Sequence, residues 1–120
     1  MNKLFALRGA AMCENSIEDI CRQISVMYDE LLRVNKLEEK DIVSVIFSVT
    51  KDLDAVNPCA ALRKSGRAKE LSLFSCIEPD CMGSLERTVR VLVQCYLDEY
   101  AKVQHVYRNG AEVLRPDRVC

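Results

Sequence analysis

The sequence predicts an α+β fold in which one main helix and one short helix cover a mixed sheet. Three observations predict it. A single long amphipathic stripe runs over 17–32. Several β-branched runs alternate apolar and polar residues and are separated by turn residues. The resulting order is β-α-β-(short α)-β-β-β, which suits helices gathered on one sheet face. At 120 residues the chain fits one domain, 1–120, with a core of its own.

Residues 3–9, KLFALRG, read as a strand closed by glycine, with Phe5 and Leu7 on one face and Leu4, Ala6 and Arg8 on the other. Ser16-Ile17-Glu18-Asp19 then matches a capping box. Ile17, Ile20, Ile24, Met27, Leu31 and their neighbours recur at three- and four-residue spacing, so a helix follows and ends near Asn35 and Lys36. Residues 41–50 are β-branched and alternate: Val43, Val45, Phe47 and Val49 share a face, Ser44, Ile46 and Ser48 the other. Asn57 is a good N-cap, Pro58 suits the first helical turn and Gly66 is a good stop, so 58–65 is a short helix carrying Arg63 and Lys64.

Residues 69–76 read as another strand, and Pro79 and Gly83 break the chain after it. The run LERTVRVLVQCY at 85–96 fits two periods. Leu85, Val89, Leu92, Val93 and Tyr96 fit a helix face, whereas Val89, Val91, Val93 and Cys95 fit a strand face equally well. Arg90 sits inside this run, either as a solvated side chain or held inward for an anion. Residues 103–108 read as a short strand, Asn109-Gly110 as a turn, and 111–117 as an extended terminal segment.

Composition narrows the function. With 49% apolar and 29% charged residues the chain is ordinary for a soluble protein, and no apolar stretch approaches bilayer length. A net charge of −1 argues against a general nucleic-acid surface, although a local arginine cluster can still serve an anionic ligand. The start, MNKLFALRGA, does not read as a signal peptide because Arg8 cuts its apolar segment short. Seven cysteines, an odd count without C-x-x-C spacing, suit reduced thiols in a cytosol. Cys76, Cys81 and His105 match no zinc spacing, so no metal site is expected.

Four phrases carry more than composition: LRGA at 7–10, SVTKDLDAVNPCAALR at 48–63, Glu78 followed by GSLERTVRV, and HVYRNGAEVLRPD at 105–117. Together they resemble the AroH class of monofunctional chorismate mutases, from about Arg8 to Asp117. The most specific parts are T-x-D-L-x-A-x-x-P and H-V-Y…L-R-P-D, because they are long and ordered. The resemblance implies a mixed five-stranded sheet with helices on one face. It implies a homotrimer with a barrel-like centre and active sites in clefts between subunits. It also makes 85–96 a strand, preceded by a short turn at 84–87.

The implied reaction is the intramolecular Claisen-type rearrangement of chorismate to prephenate, a step of aromatic amino-acid biosynthesis. It needs no nucleophile, metal or cofactor. The protein must hold a flexible dianion in its reactive pose and stabilise charge growing on the ether oxygen. By resemblance, Arg90 donates to the ether oxygen and a carboxylate, Arg8 and Tyr107 hold the side-chain carboxylate, and Glu78 accepts from the ring hydroxyl. Arg63 of a neighbouring subunit and Arg115 in the tail form the cationic rim, while Ala55 and Leu114 fall in lining or supporting segments.

The family cysteine near the ring hydroxyl falls on Ser75 in ungapped register; a one-residue shift would restore it as Cys76. Other departures are Asn57 where the family has an aromatic residue, Ala60 where lysine is common, and Ile77-Glu78-Pro79 for Gln-Glu-Met. Two rival readings remain: a catalytically weakened relative that binds a small carboxylate, and a trimeric deaminase of the Rid type, whose motifs this sequence lacks.

Overall fold

The structure, a computed structural model, describes residues 1–114. Its five strands are β1 (Asn2–Met12), β2 (Ile42–Val49), β3 (Leu73–Ile77), β4 (Thr88–Asp98) and β5 (Val106–Arg108). Helices α1 (Ile17–Asn35) and α2 (Pro58–Lys64) lie between β1 and β2 and between β2 and β3. The strands form one sheet in the order β3-β2-β4-β1-β5. β4 runs antiparallel to both β1 and β2, while β3 and β5 pair parallel at the edges. The expected α+β class and mixed sheet are therefore observed, and the 85–96 run resolves as strand from Thr88 onward.

The helices form where their ends are specified. Ser16 Oγ accepts from the Asp19 N–H at 3.1 Å, and Lys36 closes α1 in the left-handed conformation with φ of 50°. Asn57 Oδ1 accepts from the N–H of Cys59 and of Ala60, so this residue is occupied as the N-cap of α2. Ile20, Ile24, Met27 and Leu31 of α1 and Leu62 of α2 are fully buried against Leu7, Val45, Phe47, Val89, Val93 and Cys95 of the sheet. Each such side chain contributes roughly 1.5–3 kcal/mol of transfer free energy.

Five boundaries differ from the sequence reading, the first being β1, which runs through Gly9 to Met12 instead of closing at that glycine. The alternation of β2 breaks at its start, where register shifts between Ile42 and Ser44. The extra residue of this bulge leaves Val43 outside, 48% exposed, and puts Ile42 in the core instead. Residues 69–72 are not strand. Ala68 is left-handed (φ 56°), the Leu71 N–H turns back to its carbonyl, and the Ala68 N–H is held by Glu39 Oε2, which also accepts from Tyr28 Oη. Residues 103–105 are also outside the sheet, because the Asn35 side chain takes both the N–H and the C=O of Gln104. The described part of the terminal segment, Ala111–Leu114, is a 3-10 turn rather than extended.

Gly9 is where α1 and two strands converge. A Cβ there would stand 3.0 Å from the Val106 carbonyl, 3.2 Å from Val91 Cγ1 and 3.3 Å from Met27 Sδ. Gly9→Ala is expected to lower stability by about 1–3 kcal/mol through overpacking. Urea unfolding with an unchanged m value measures it, and a loss under about 0.5 kcal/mol would refute this packing argument.

The cysteines divide sharply by environment. Burial, then the Asp19 carboxylate, pushes the Cys13 thiol up to about 12; burial, then Asp41, pushes Cys95 up to about 11. Cys81 is exposed. Iodoacetamide at mildly alkaline pH should alkylate Cys81 in the folded protein and reach Cys13 and Cys95 only after denaturation, as peptide mass spectrometry would read.

Candidate active site

The sheet face away from the helices carries the sequence-predicted residues in two rows. Strand register aligns Cys76, Ser48, Arg90, Ala10 and Tyr107 across all five strands. The neighbouring row aligns Phe74, Ile46, Leu92 and Arg8. Paired residues project to the same face, and that face repeats every second residue along a strand. Arg8 and Arg90, two residues apart in register on adjacent strands, are thus brought together although 82 positions separate them. A cavity of about 430 Å³ lies over the rows, with Arg8, Ser48, Arg90 and Tyr107 as its polar lining. Ile46, Leu92 and Leu114 supply apolar wall.

Glu78 organises the polar side. Its backbone N–H is fixed on the Val49 carbonyl at 2.8 Å, just past the end of β3. Its Oε1 accepts from Ser48 Oγ and lies 3.3 Å from Arg90 Nε. The Arg90 and Glu78 side chains are 43% and 23% exposed, so the pair contributes at most about 1 kcal/mol to stability. Its larger effect is directional. Contact through Nε leaves the outer edge of the Arg90 guanidinium, between its two terminal nitrogens, directed away from the carboxylate. Arg8 has no carboxylate partner among the described residues. Two guanidinium groups and one carboxylate leave the cluster one positive charge in excess, with unused N–H donors suited to a carboxylate-bearing ligand.

The T-x-D segment has a positioning role that the sequence reading missed. Thr50 Oγ1 accepts from the Thr88 N–H at 2.9 Å and donates to Asp52 at 2.5 Å. The Asp52 carboxylate also accepts the Arg87 N–H at 3.0 and 3.1 Å. Arg87 is left-handed there (φ 46°), and its guanidinium is paired to Glu14 at 2.8 Å. This clamp sets where β4 begins and therefore which side Arg90 faces. Ser48 was also missed as a site residue, although its alternation with Phe47 and Val49 had already placed it off the core face.

Other predicted residues divide. Tyr107 is 9% exposed and packs with Ala10 and Ala111, against which Leu114 also rests. Ser75 is not brought to the cleft. It pairs with Phe47 on the helix side and its Oγ accepts from Asn57 Nδ2 at 3.3 Å, while Cys76 falls in the row of Ser48 and Arg90 without lining the cavity. Ala55 packs against the core rather than lining the cavity. Arg63 is exposed on α2, on the opposite side of the sheet from Arg90, and Arg115 lies outside the described residues. Among the described residues no group of three or more His, Cys, Asp or Glu side chains is placed to hold a metal ion. None of their helices is long and apolar enough to cross a membrane.

Comparisons with known proteins follow the same lines. The chorismate mutase AroH of Thermus thermophilus is 33% identical over 114 residues, covering 92% of this chain and 93% of that one. The chorismate mutase AroH of Bacillus subtilis is 29% identical over 113 residues, covering 92% and 89%. Among solved structures, the chorismate mutase from Clostridium thermocellum superposes with a TM-score of 0.85 at 40% identity, over 91% of this chain and 98% of that chain. The family model for chorismate mutase type I matches residues 4–118, which takes in both sheet rows and the clamp that sets their register: the chain belongs to the chorismate mutase type I family.

Proposed function

We propose that this chain is a chorismate mutase, an isomerase that converts chorismate to prephenate in aromatic amino-acid biosynthesis. One observation carries the reading. Arg90, steered by Glu78, and Arg8 present guanidinium donors to a single cavity. Chorismate is a dianion with two carboxylates, a ring hydroxyl and a bridging ether oxygen. Its rearrangement breaks one C–O bond and forms one C–C bond within a single molecule. Catalysis therefore reduces to conformational restraint and to stabilising charge that grows on the ether oxygen.

Arg90 is the residue for that charge. Its Nε faces Glu78, and its terminal nitrogens are free to reach the ether oxygen and the adjacent carboxylate at once. Because the guanidinium is already oriented, little reorganisation accompanies the transition state. Glu78 has acceptor capacity left on Oε2 for the ring hydroxyl. Arg8 and Tyr107 flank Ala10 and hold the side-chain carboxylate over the ring. Cys76, opposite Ser48 in register, is better placed than Ser75 to meet the hydroxyl end.

The working unit is a homotrimer with clefts between subunits. Leu4, Phe74 and Tyr96 support this, being 49%, 65% and 46% exposed on the helix-free face beside the cavity. An apolar patch of this kind calls for a protein cover. A neighbouring subunit supplies it, along with Arg63 for the cationic rim, and Arg115 in the tail completes that rim. Free thiols at Cys13, Cys21, Cys59 and Cys95 support a reducing, cytosolic compartment.

The reading is tested by following loss of the chorismate diene absorbance with prephenate identified as product; no turnover at high protein concentration would sink it. Arg90→Ala should cost roughly 3 kcal/mol of transition-state stabilisation or more, about a hundredfold in kcat or beyond. A fall of less than about tenfold would mean that another group stabilises the ether oxygen. Sedimentation equilibrium should return three times the 13.6 kDa chain mass, and a monomer would overturn the assembly.

A further inference from the structure

We propose that His105 is a positioning residue that sets the spacing between Arg8 and Tyr107, and so the grip on the substrate carboxylate. The proposal rests on the functional reading above. β5 is three residues long and pairs with β1 only over Gly9–Val106, Ala10–Tyr107 and Ala11–Arg108. A parallel ladder so short holds its register weakly. Yet it carries Tyr107 into the row of Arg90 and must keep it beside Arg8.

The next rung of that ladder is made by a side chain. The Arg8 N–H donates to His105 Nδ1 at 2.9 Å, where a backbone carbonyl would otherwise stand. Acceptance at Nδ1 requires the neutral ring with its proton on Nε2. The bond joins the backbone of the residue bearing the guanidinium to the residue two before the tyrosine. Asn35 pins Gln104 immediately upstream, so the chain reaches His105 from a fixed point on α1. At the far end of β5, Asn109 Nδ2 donates to the Met12 carbonyl at 2.6 Å. Of these ties, only His105 engages a residue that lines the cavity. The Arg90–Glu78–Ser48 group lies on β4, β2 and the end of β3 and takes no support from this bond.

That separation makes the effect selective. His105→Ala should raise KM for chorismate about tenfold while kcat changes less than about threefold. His105→Asn places a carbonyl oxygen the same number of bonds from the backbone as Nδ1 and should bring KM back to within about threefold of wild type. In His105→Gln the acceptor sits one bond farther out, and this variant should behave like His105→Ala. A merely structural role would lower the folded fraction, and with it apparent kcat, at constant KM. An unchanged KM in His105→Ala, or His105→Asn no better than His105→Gln, would overturn the proposal. Amide hydrogen exchange at Arg8 separates it from the functional reading. If the wild type showed no chorismate turnover, that reading would fail. The positioning role would then stand on protection of the Arg8 amide kept in His105→Asn and lost in His105→Ala, and would fall if His105→Ala kept it.

Discussion

The register of β4 is the constraint on which the rest of the molecule depends. β4 is the central strand, paired on both sides, and its two faces have incompatible duties. Val89, Val91, Val93 and Cys95 are 0–5% exposed in the core, while Arg90 and Leu92 face the cleft. Side chains alternate with a period of two, so a slip of one residue would drive the Arg90 guanidinium into the core and expose the valines. An unpaired buried cation costs several kcal/mol, which excludes the slipped state. The Thr50–Asp52 clamp on Arg87 and Thr88 fixes the start of the strand locally. Core packing and the clamp therefore select the same register, and the active face is a by-product of a well-determined core.

A carboxylate among arginines looks counterproductive in a site for a dianion, since it removes one of two positive charges. It makes sense as orientation. A guanidinium on a flexible side chain loses rotamer freedom when it must point one way. Glu78 removes that freedom before the ligand arrives, through one half-exposed contact at 3.3 Å and a hydroxyl from Ser48. The remaining positive charge is weak in water but stronger in a cavity walled by Ile46, Leu92 and Leu114. Preorganisation of donors, rather than the sum of charges, separates transition state from ground state in a rearrangement without a leaving group.

Much of this was legible in the sequence, for identifiable reasons. α1 and α2 carry their own end signals, in Ser16 and in Asn57-Pro58, and both formed where those signals lie. β4 was not legible from pattern alone, because a run rich in valine satisfies both a helical and a strand period. The family resemblance chose correctly. The bulge at Ile42 and Val43 was invisible because it depends on the partner strand, not on local alternation. β3 began later than its apolar run because Ala68 adopts a conformation that alanine rarely signals. Arg8, Glu78, Arg90 and Tyr107 were singled out through motif phrases, and the fold brings them together. Ser75, singled out in ungapped register, pairs with Phe47 while Cys76 falls opposite Ser48, since register at a parallel edge strand is a tertiary fact. Thr50 and Asp52 went unread because their partners lie more than thirty residues away.

The errors at strand ends share a cause that also explains how the sheet opens a cleft. A sheet that carries a cavity must let some ladders stop, and each stop threatens to leave a backbone N–H or C=O without a partner. In this sheet side chains supply the missing partners. Thr50 Oγ1 serves the Thr88 N–H, Asn35 serves both groups of Gln104, His105 serves the Arg8 N–H and Asn109 serves the Met12 carbonyl. Among the described residues no buried side-chain nitrogen or oxygen lacks a partner either. A backbone rung tolerates any side chain, whereas a side-chain rung demands one atom at one distance. The motif phrases at 48–63 and 105–117 contain three of these four surrogates, Thr50, His105 and Asn109, beside the ligand-facing residues. Much of what marks the family in this sequence therefore specifies how the strands end, and a smaller part lines the cavity.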